Sequence, residues 1–391
     1  MNKSDLQVLD IWSHVDPAFG GVGPAASQLA MAVGRAAGWT TRLSAICGPD
    51  EAQLADGIPA TVDRTEGGGW RPAADIRIRS SLRGAIRDCD VCHVHGLWLP
   101  HTLAARRIAR DLRKPVVSSV HGMLEKWELA NKGLKKRLYS RLFERSSLAR
   151  SACLRALSDR EAGDYRRYGL KNPVAVVPNG IVPLERIDPE PLFSRFPELR
   201  DKSIVLYLSR VHYKKGILNL IHAWEGIAHV HRDAHLLVAG PDCEGTLQRA
   251  RGMVRYCDLG DSVTFSGTIS GETKRAALSA ARYFCLPSYS EGFSVAVLEA
   301  LSIGLPAIVT PACNIDEVAA CGAGLVVSNE PNELAAALSH CLNLEAEDWR
   351  TMSAQALRLA RSRYDWGAIA QTMRAVYGWV LGGPKPACVT E

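Results

Sequence analysis

The chain has 391 residues, enough for more than one domain and a large core, and its 47% hydrophobic and 23% charged content excludes a fibrous or disordered protein. Eleven cysteines, an odd number scattered through apolar segments, point to free buried thiols and away from a disulfide framework. The net charge of +6 is uneven: residues 1–183 hold 27 Lys and Arg against 18 Asp and Glu, and the remainder holds 20 against 23, so the positive character belongs to the first half.

MNKSDLQVLDIW carries Asp5 and Asp10 where a secretory signal would be apolar. No charge-free apolar run reaches the roughly 18 residues of a spanning helix, so a cytoplasmic protein is expected. Residues 6–12 (LQVLDIW) read as a first buried strand, followed by a glycine-rich loop and a helix of small residues. Gly21, Gly23 and Ala26 superficially fit a dinucleotide fingerprint, but residues 13–20 intervene where that fingerprint needs its first glycine directly after the strand. A loop bringing backbone N–H groups close to a substrate is the better reading, and helix–sheet packing the plainer one.

Residues 41–49 read as a second strand, 57–69 as loop, 80–88 as helix and 90–98 (DVCHVHGLW) as a strand ending in a polar loop. Three decoys crowd there. CDVCH matches a haem-attachment string, Cys92, His93 and His95 suggest a metal site, and Asp88 with Asp90 matches a carboxylate pair for a divalent ion. Position argues against all three: the strand is buried, and the Asp pair enters at its N-terminal end, while ligands of open α/β sheets gather at C-terminal ends. His95 and Trp98 lie on that outgoing edge. So does His121, which ends the next strand (115–123). Residues 125–152 are basic and helix-periodic, with Leu134, Leu138 and Leu142 on one stripe, either a solvated surface helix or a contact with anionic lipid.

A strand with a Pro-Asn-Gly turn (173–181) leads to a linker rich in proline and charge, and the βα alternation restarts at 203. Strands are expected at 203–210, 234–242, 262–270, 283–288, 305–310 and 322–327, which implies two doubly wound parallel sheets joined near residue 184. The final helices, 331–381, have no strand to lead into and end in a loose GGPKPACVTE.

Arg210 ends the first strand of this second half and Lys215 opens the helix after it. Two cations beside a helix N-terminus suit a diphosphate, although surface cations on a βα loop are common. In residues 288–310 (SYSEGFSVAVLEALSIGLPAIVT), Val295, Leu298 and Leu301 recur at helical spacing, and Gly304 and Pro306 stop the period. Glu291 then lies just ahead of a helix and Glu299 along it, about 12 Å apart on the axis. That is too far for one proton relay, but it is the span from ribose to sugar in a nucleotide-sugar, with helix N–H groups between for the diphosphate.

Together these stretches resemble glycosyltransferase family 4, the retaining nucleotide-sugar transferases of the GT-B fold, over nearly the whole chain. The resemblance is carried by Gly20-Gly21, His95-Gly96, His121-Gly122, residues 177–181 (VPNGI), Ser209-Arg210 with Lys215-Gly216, Phe265-Ser266-Gly267, and residues 291–301 (EGFSVAVLEAL) with Gly304-Leu305-Pro306. HGLW and HGMLEKW look most like bacterial members that extend polysaccharide or lipid-linked oligosaccharide chains.

The resemblance implies two Rossmann-like α/β domains facing across a cleft. Residues 1–183 would bind the acceptor, with a C-terminal helix (about 368–391) packing back on them, and 184–367 would bind the nucleotide-sugar. It implies that Arg210 and Lys215 hold the diphosphate, that Glu299 receives the ribose and Glu291 the sugar, and that Gly292, Phe293 and Ser294 cradle sugar and phosphate through backbone N–H groups. His121 would lie near the reacting sugar, Gly21 near the donor, and His95, Trp98 and Gly20 on the acceptor. Glu291, His121, Arg210 and Lys215 form the implied catalytic set, with front-face attack and no enzymic nucleophile. Many members have an acidic residue before the lysine; here Lys214 stands there and would share the role of Lys215.

The implied activity is transfer of a hexosyl group from a UDP- or GDP-sugar to a saccharide or lipid-linked acceptor in exopolysaccharide or surface glycan synthesis. It would need no metal or cofactor and no nucleic acid, and would run in the cytoplasm or at the inner membrane face. The alternatives are a nucleotide-sugar epimerase or hydrolase on the same fold, an NAD(P)-dependent oxidoreductase using the Gly21 loop, and a non-catalytic nucleotide-sugar sensor.

Overall fold

The computed structural model describes residues 5–14, 21–47, 60–64, 72–130, 136 and 138–391. Its strands are β1 (Leu6–His14), β2 (Trp39–Cys47), β3 (Ala60–Arg64), β4 (Val91–His95), β5 (Val116–Ser119), β6 (Cys153–Ala156) and β7 (Val174–Val176). They continue as β8 (Ser203–Leu208), β9 (Ala234–Ala239), β10 (Val263–Gly267), β11 (Tyr283–Leu286), β12 (Ala307–Val309), β13 (Gly324–Val326) and β14 (Val389–Thr390). The chain divides into two compact units: Met1–Gly180 with Trp366–Glu391, and Ile181–Asp365.

In the first unit the described strands form one sheet in the order β14-β7-β6-β5-β4-β1-β2-β3. All neighbours are parallel except β14, which runs antiparallel to β7. Parallel strands buried on both faces send alternate residues to opposite layers. Leu9 and Ile11 of β1, with Cys92 and Val94 of β4, pack under Leu82, Ala85 and Ile86 of helix Pro72–Asp88. Val8, Val91, Val117, Cys153 and Ala175 point the other way, against helices Val22–Gly34 and Trp366–Val380.

The second unit is a parallel sheet in the order β10-β9-β8-β11-β12-β13. The crossing between units is built locally. Arg155, fully buried in β6, donates from Nε to the Val177 carbonyl (3.0 Å) and from Nη2 to the Pro178 carbonyl (2.7 Å), which accounts for much of the VPNGI stretch.

Several local expectations are corrected. Residues 60–64 are not loop but the edge strand β3, and the terminal segment ends in β14, with Val389 opposite Ala175. Both strands are too short to carry a clear alternation. The basic segment 125–152 is not one regular helix. It has a helix at Lys126–Ala130, a π-helical turn at Ser140–Glu144 and a helix at Arg145–Leu148, while residues 131–135 and 137 fall outside the described residues. The wide turn lies where Glu144 is fully buried against Arg106 (2.5 Å), a pairing that no surface helix would make.

Candidate active site

In a doubly wound sheet the crevice forms at the outgoing strand ends where strand order reverses. In the second unit that place lies between β8, which continues to β9 on one side, and β11 on the other. The loops leaving these two strands carry the expected cations and carboxylates. After β8 the chain passes Arg210 and makes a short 3-10 turn, Tyr213–Lys215, capped by the His212 side chain, which accepts from the Lys214 N–H at 3.0 Å. Gly216 follows with φ +71°, and helix Ile217–Ala228 begins there. A Cβ on Gly216 would sit 1.9 Å from the Pro287 carbonyl oxygen, so glycine is what lets the β8 and β11 loops touch.

Lys215 therefore does not open the helix; it is the last residue of the turn, and it is buried. Its Nζ lies 2.5 Å from Glu291 Oε1, and Ser288 Oγ donates to the same oxygen at 2.8 Å. The backbone of Glu291 is tied by Asn314, in the left-handed region with φ +60°, whose Nδ2 donates to the Glu291 carbonyl at 2.6 Å. Arg210 lies two residues beyond the end of β8 rather than in it. It is exposed, and its guanidinium makes no hydrogen bond or ion pair among the described residues; only its carbonyl is held, by the Tyr207 hydroxyl at 3.0 Å.

Glu291 precedes helix Val295–Ser302, Ser294 is its N-cap residue, Phe293 packs edge-on to Tyr364 (5.8 Å), and Glu299 sits on the helix. Glu299 accepts from Lys274 Nζ at 2.7 Å, a partner that the sequence reading missed because Lys274 belongs to a different helix, Gly271–Ala280. The two glutamates are thus each paired with a lysine, and Lys214 joins the structure through its carbonyl, which accepts from the Tyr289 N–H.

The first unit has its own reversal, between β1 and β4. Gly21, the N-cap residue of helix Val22–Gly34, follows β1, while Gly20 lies outside the described residues. On the face shared with Val8 and Val91, the side chains become polar two residues further along: Asp10 of β1 pairs in register with His93 of β4. His95 Nε2 lies 3.0 Å from Asp10 Oδ1, and His95 Nδ1 lies 3.0 Å from His121 Nε2. His93 Nδ1 is 3.4 Å from the same Asp10 oxygen and 2.7 Å from the Tyr377 hydroxyl, and its Nε2 is 2.7 Å from Ser119 Oγ.

Burial pushes all three histidines toward the neutral form, His93 down to about 3. Burial alone would raise the Asp10 carboxyl, but the hydrogen bonds from His93 and His95 outweigh it and hold it below the ordinary carboxylate range. His121 takes a left-handed backbone (φ +57°), and the Glu161 carboxylate fixes its turn by accepting from the Gly122 N–H at 2.7 Å and the Leu157 N–H at 2.7 Å. Burial raises Glu161 to about 6.

The structure thus brings His95 and His121 together and adds Asp10, which sequence reading had used only as a charge against a secretory signal. Trp98 is not part of this cluster. It has φ +68°, its N–H is held by Glu144 Oε1 at 3.1 Å, and its ring lies near Lys136 Nζ (5.8 Å) and Tyr139 (6.4 Å). Asp10, His93 and His95 offer atoms close enough together for a divalent cation, yet each already has a partner in the hydrogen-bond network. Asp90 is spent on the Gln7 N–H at 2.9 Å, at the incoming strand end.

Residues 190–358 match the family described as glycosyl transferases group 1, and residues 20–180 match the glycosyl transferase 4-like domain. The chain belongs to the family 4 glycosyltransferases. This family 4 glycosyltransferase is 26% identical over 320 residues, 81% of each chain, to the GDP-mannose:cellobiosyl-diphosphopolyprenol alpha-mannosyltransferase of Xanthomonas oryzae pv. oryzae. It is 26% identical to the phosphatidyl-myo-inositol mannosyltransferase of Mycobacterium tuberculosis, covering 80% of this chain and 79% of that one. Its fold matches Anabaena Alr3699/HepE, solved in complex with UDP and glucose, with a TM-score of 0.74 at 17% identity over 96% of this chain and all of the other. The two-domain GT-B architecture of the family 4 enzymes is therefore the architecture of this chain.

Proposed function

We propose that this glycosyltransferase is a retaining hexosyltransferase that takes its sugar from a GDP- or UDP-linked donor and passes it to a lipid-linked saccharide. The observation that carries this reading is the buried Lys215–Glu291 contact at the strand-order reversal of the second unit, with the exposed Arg210 on the same loop after β8 as Lys215. A departing nucleoside diphosphate develops negative charge, and a fixed ammonium, a guanidinium and the N-terminal N–H groups of helix Val295–Ser302 stabilise it without reorganisation. On this reading Glu291 accepts hydrogen bonds from sugar hydroxyls and Glu299 from the ribose, and no divalent ion is required.

GDP-mannose is the first donor to test, because the Xanthomonas relative is a GDP-mannose-dependent mannosyltransferase, and a diphosphopolyprenol-linked disaccharide is the first acceptor. The acceptor side draws support from the outer face of the first unit. Leu138, Leu142 and Phe143 are exposed there, and Arg107, Arg110, Arg113, Lys114 and Arg150 surround the last two, which suits an anionic membrane surface. An exopolysaccharide or surface glycan product follows from such an acceptor.

The test is transfer from a panel of nucleotide-sugars to that acceptor, with the anomeric configuration of the product determined and chelator present in one arm. Arg210→Ala should raise the donor KM at least about tenfold, the loss of one charged hydrogen bond, without changing the melting temperature of a protein in which that guanidinium makes no hydrogen bond or ion pair among the described residues. An unchanged KM removes the diphosphate assignment, an inverted product removes retention, and loss of activity in chelator removes metal independence. Donor hydrolysis or epimerisation without transfer selects the alternative reaction.

A further inference from the structure

We propose that Asp10 and His95 are positioning residues that fix which nitrogen of His121 carries its proton, presenting His121 Nδ1 as a hydrogen-bond acceptor for a substrate hydroxyl. The positions of the protons follow from one contact to the next. A carboxylate only accepts, so the 3.0 Å contact between Asp10 Oδ1 and His95 Nε2 requires the proton on Nε2. A neutral His95 then has a lone pair on Nδ1, and the 3.0 Å contact from Nδ1 to His121 Nε2 requires the proton on His121 Nε2. The remaining nitrogen of His121, Nδ1, is left with a lone pair, and among the described residues it has no hydrogen-bond partner.

Neutrality follows from the surroundings. His93 and His95 lie 4.0 Å apart centroid to centroid, His95 and His121 lie 5.3 Å apart edge to edge, and the buried guanidinium of Arg155 is a further positive charge acting on the cluster. Asp10 is the compensating anion, Glu161 faces the turn from below through Gly122, and Tyr377 and Ser119 close the far side through His93. Two imidazolium ions in this space would have no second carboxylate to share. The left-handed backbone of His121 (φ +57°) accompanies the edge-to-edge approach of its Nε2 to His95 Nδ1, and a strained conformation of that kind is retained where the ring's aim matters.

The inference rests on the glycosyltransferase reading only for the identity of the hydroxyl. The test reads the tautomer directly. The full chain, labelled with 15N-histidine and without substrate, is examined by long-range 15N–1H correlation at neutral pH. The expected result is Nε2–H for both His95 and His121, and in Asp10→Asn a mixture at both, because an amide can either accept from or donate to His95 Nε2. Transfer turnover should fall about tenfold or more in that variant, the worth of one hydrogen bond to substrate. His121 protonated on Nδ1 in the unsubstituted chain overturns the proposal. So does an unchanged His121 tautomer in Asp10→Asn. The first measurement needs no variant, so a misfolded substitution does not decide it. Expected tautomers in a protein that transfers no sugar would leave the relay standing and remove the proposed activity instead.

Discussion

Replacing Lys215 by methionine separates what the Lys215–Glu291 contact does for the fold from what it does for the proposed donor. Both side chains are about one-tenth exposed and the charged atoms are 2.5 Å apart, so removing the ammonium leaves a nearly buried carboxylate with Ser288 Oγ as its one remaining side-chain donor among the described residues. Breaking one side of a buried pair costs about 3–5 kcal/mol, and the residual exposure favours the lower end. For a unit of the size of Ile181–Asp365, about 3 kcal/mol lowers the melting temperature by about 6–12 °C. The double replacement Lys215→Met with Glu291→Gln removes the orphaned charge and should recover most of that loss. It should not recover function: affinity for GDP or UDP, measured by calorimetry, should remain about tenfold or more below the unsubstituted protein, since charge-assisted hydrogen bonds contribute about 1.5–3 kcal/mol. The reasoning is refuted if the single variant melts within a degree or two of the parent, or if the double variant regains nucleotide affinity together with stability.

Gly216→Ala should be more damaging than any single loss of charge, because its Cβ would sit 1.9 Å from the Pro287 oxygen on a backbone at φ +71°; circular dichroism melting and soluble yield will report it. Stability should fall on mild acidification. His93, held down to about 3 from an ordinary 6.5 by burial, contributes stability that is present above 6.5 and lost as pH drops toward 3, about 2 kcal/mol by pH 5. Glu161, raised by burial to about 6, acts oppositely, contributing stability below 4.5 that is lost as pH rises through 6, and it offsets about 1 kcal/mol of that change. His95 and His121 add to the His93 direction, so urea unfolding at pH 7 and pH 5 should show a net loss, and equal stability at both would contradict the neutral cluster. Finally, co-sedimentation with vesicles containing anionic lipid should weaken in a Leu142→Glu, Phe143→Glu variant. Binding indifferent to lipid charge would remove the membrane part of the proposed function.

Much of the candidate site could be read from the sequence because chemistry at strand ends is local in the chain. Arg210 and Lys215 lie within one βα loop, and Glu291 and Glu299 flank one helix start, so pattern and punctuation find them. Asp10 could not be found in that way. It is the one acidic residue of β1, and its partners are 83 and 85 residues away, joined to it only by the pairing of β1 with β4. Lys274 and Asn314 escaped for the same reason, each completing a site from an element elsewhere in the sequence. The π-helical turn escaped because the Arg106–Glu144 pair that lies with it spans two helices, while the local pattern of Leu138 and Leu142 reads as regular helix.

The return of the chain to its first unit has a consequence for synthesis. Ile181–Asp365 is one uninterrupted segment, complete before Trp366 leaves the ribosome, whereas the first unit lacks part of its core until Ile369, Met373, Val376 and Tyr377 are in place. Tyr377 is also the hydroxyl on His93. The second unit can therefore close early on a nascent chain, and the histidine cluster is among the last parts to form. A chain cut short near residue 365 would keep the paired lysines and glutamates and lose the aromatic hydroxyl that closes the cluster. If the proposed function holds, such a truncated product is expected to bind GDP or UDP without turnover, which calorimetry on residues 1–365 would check.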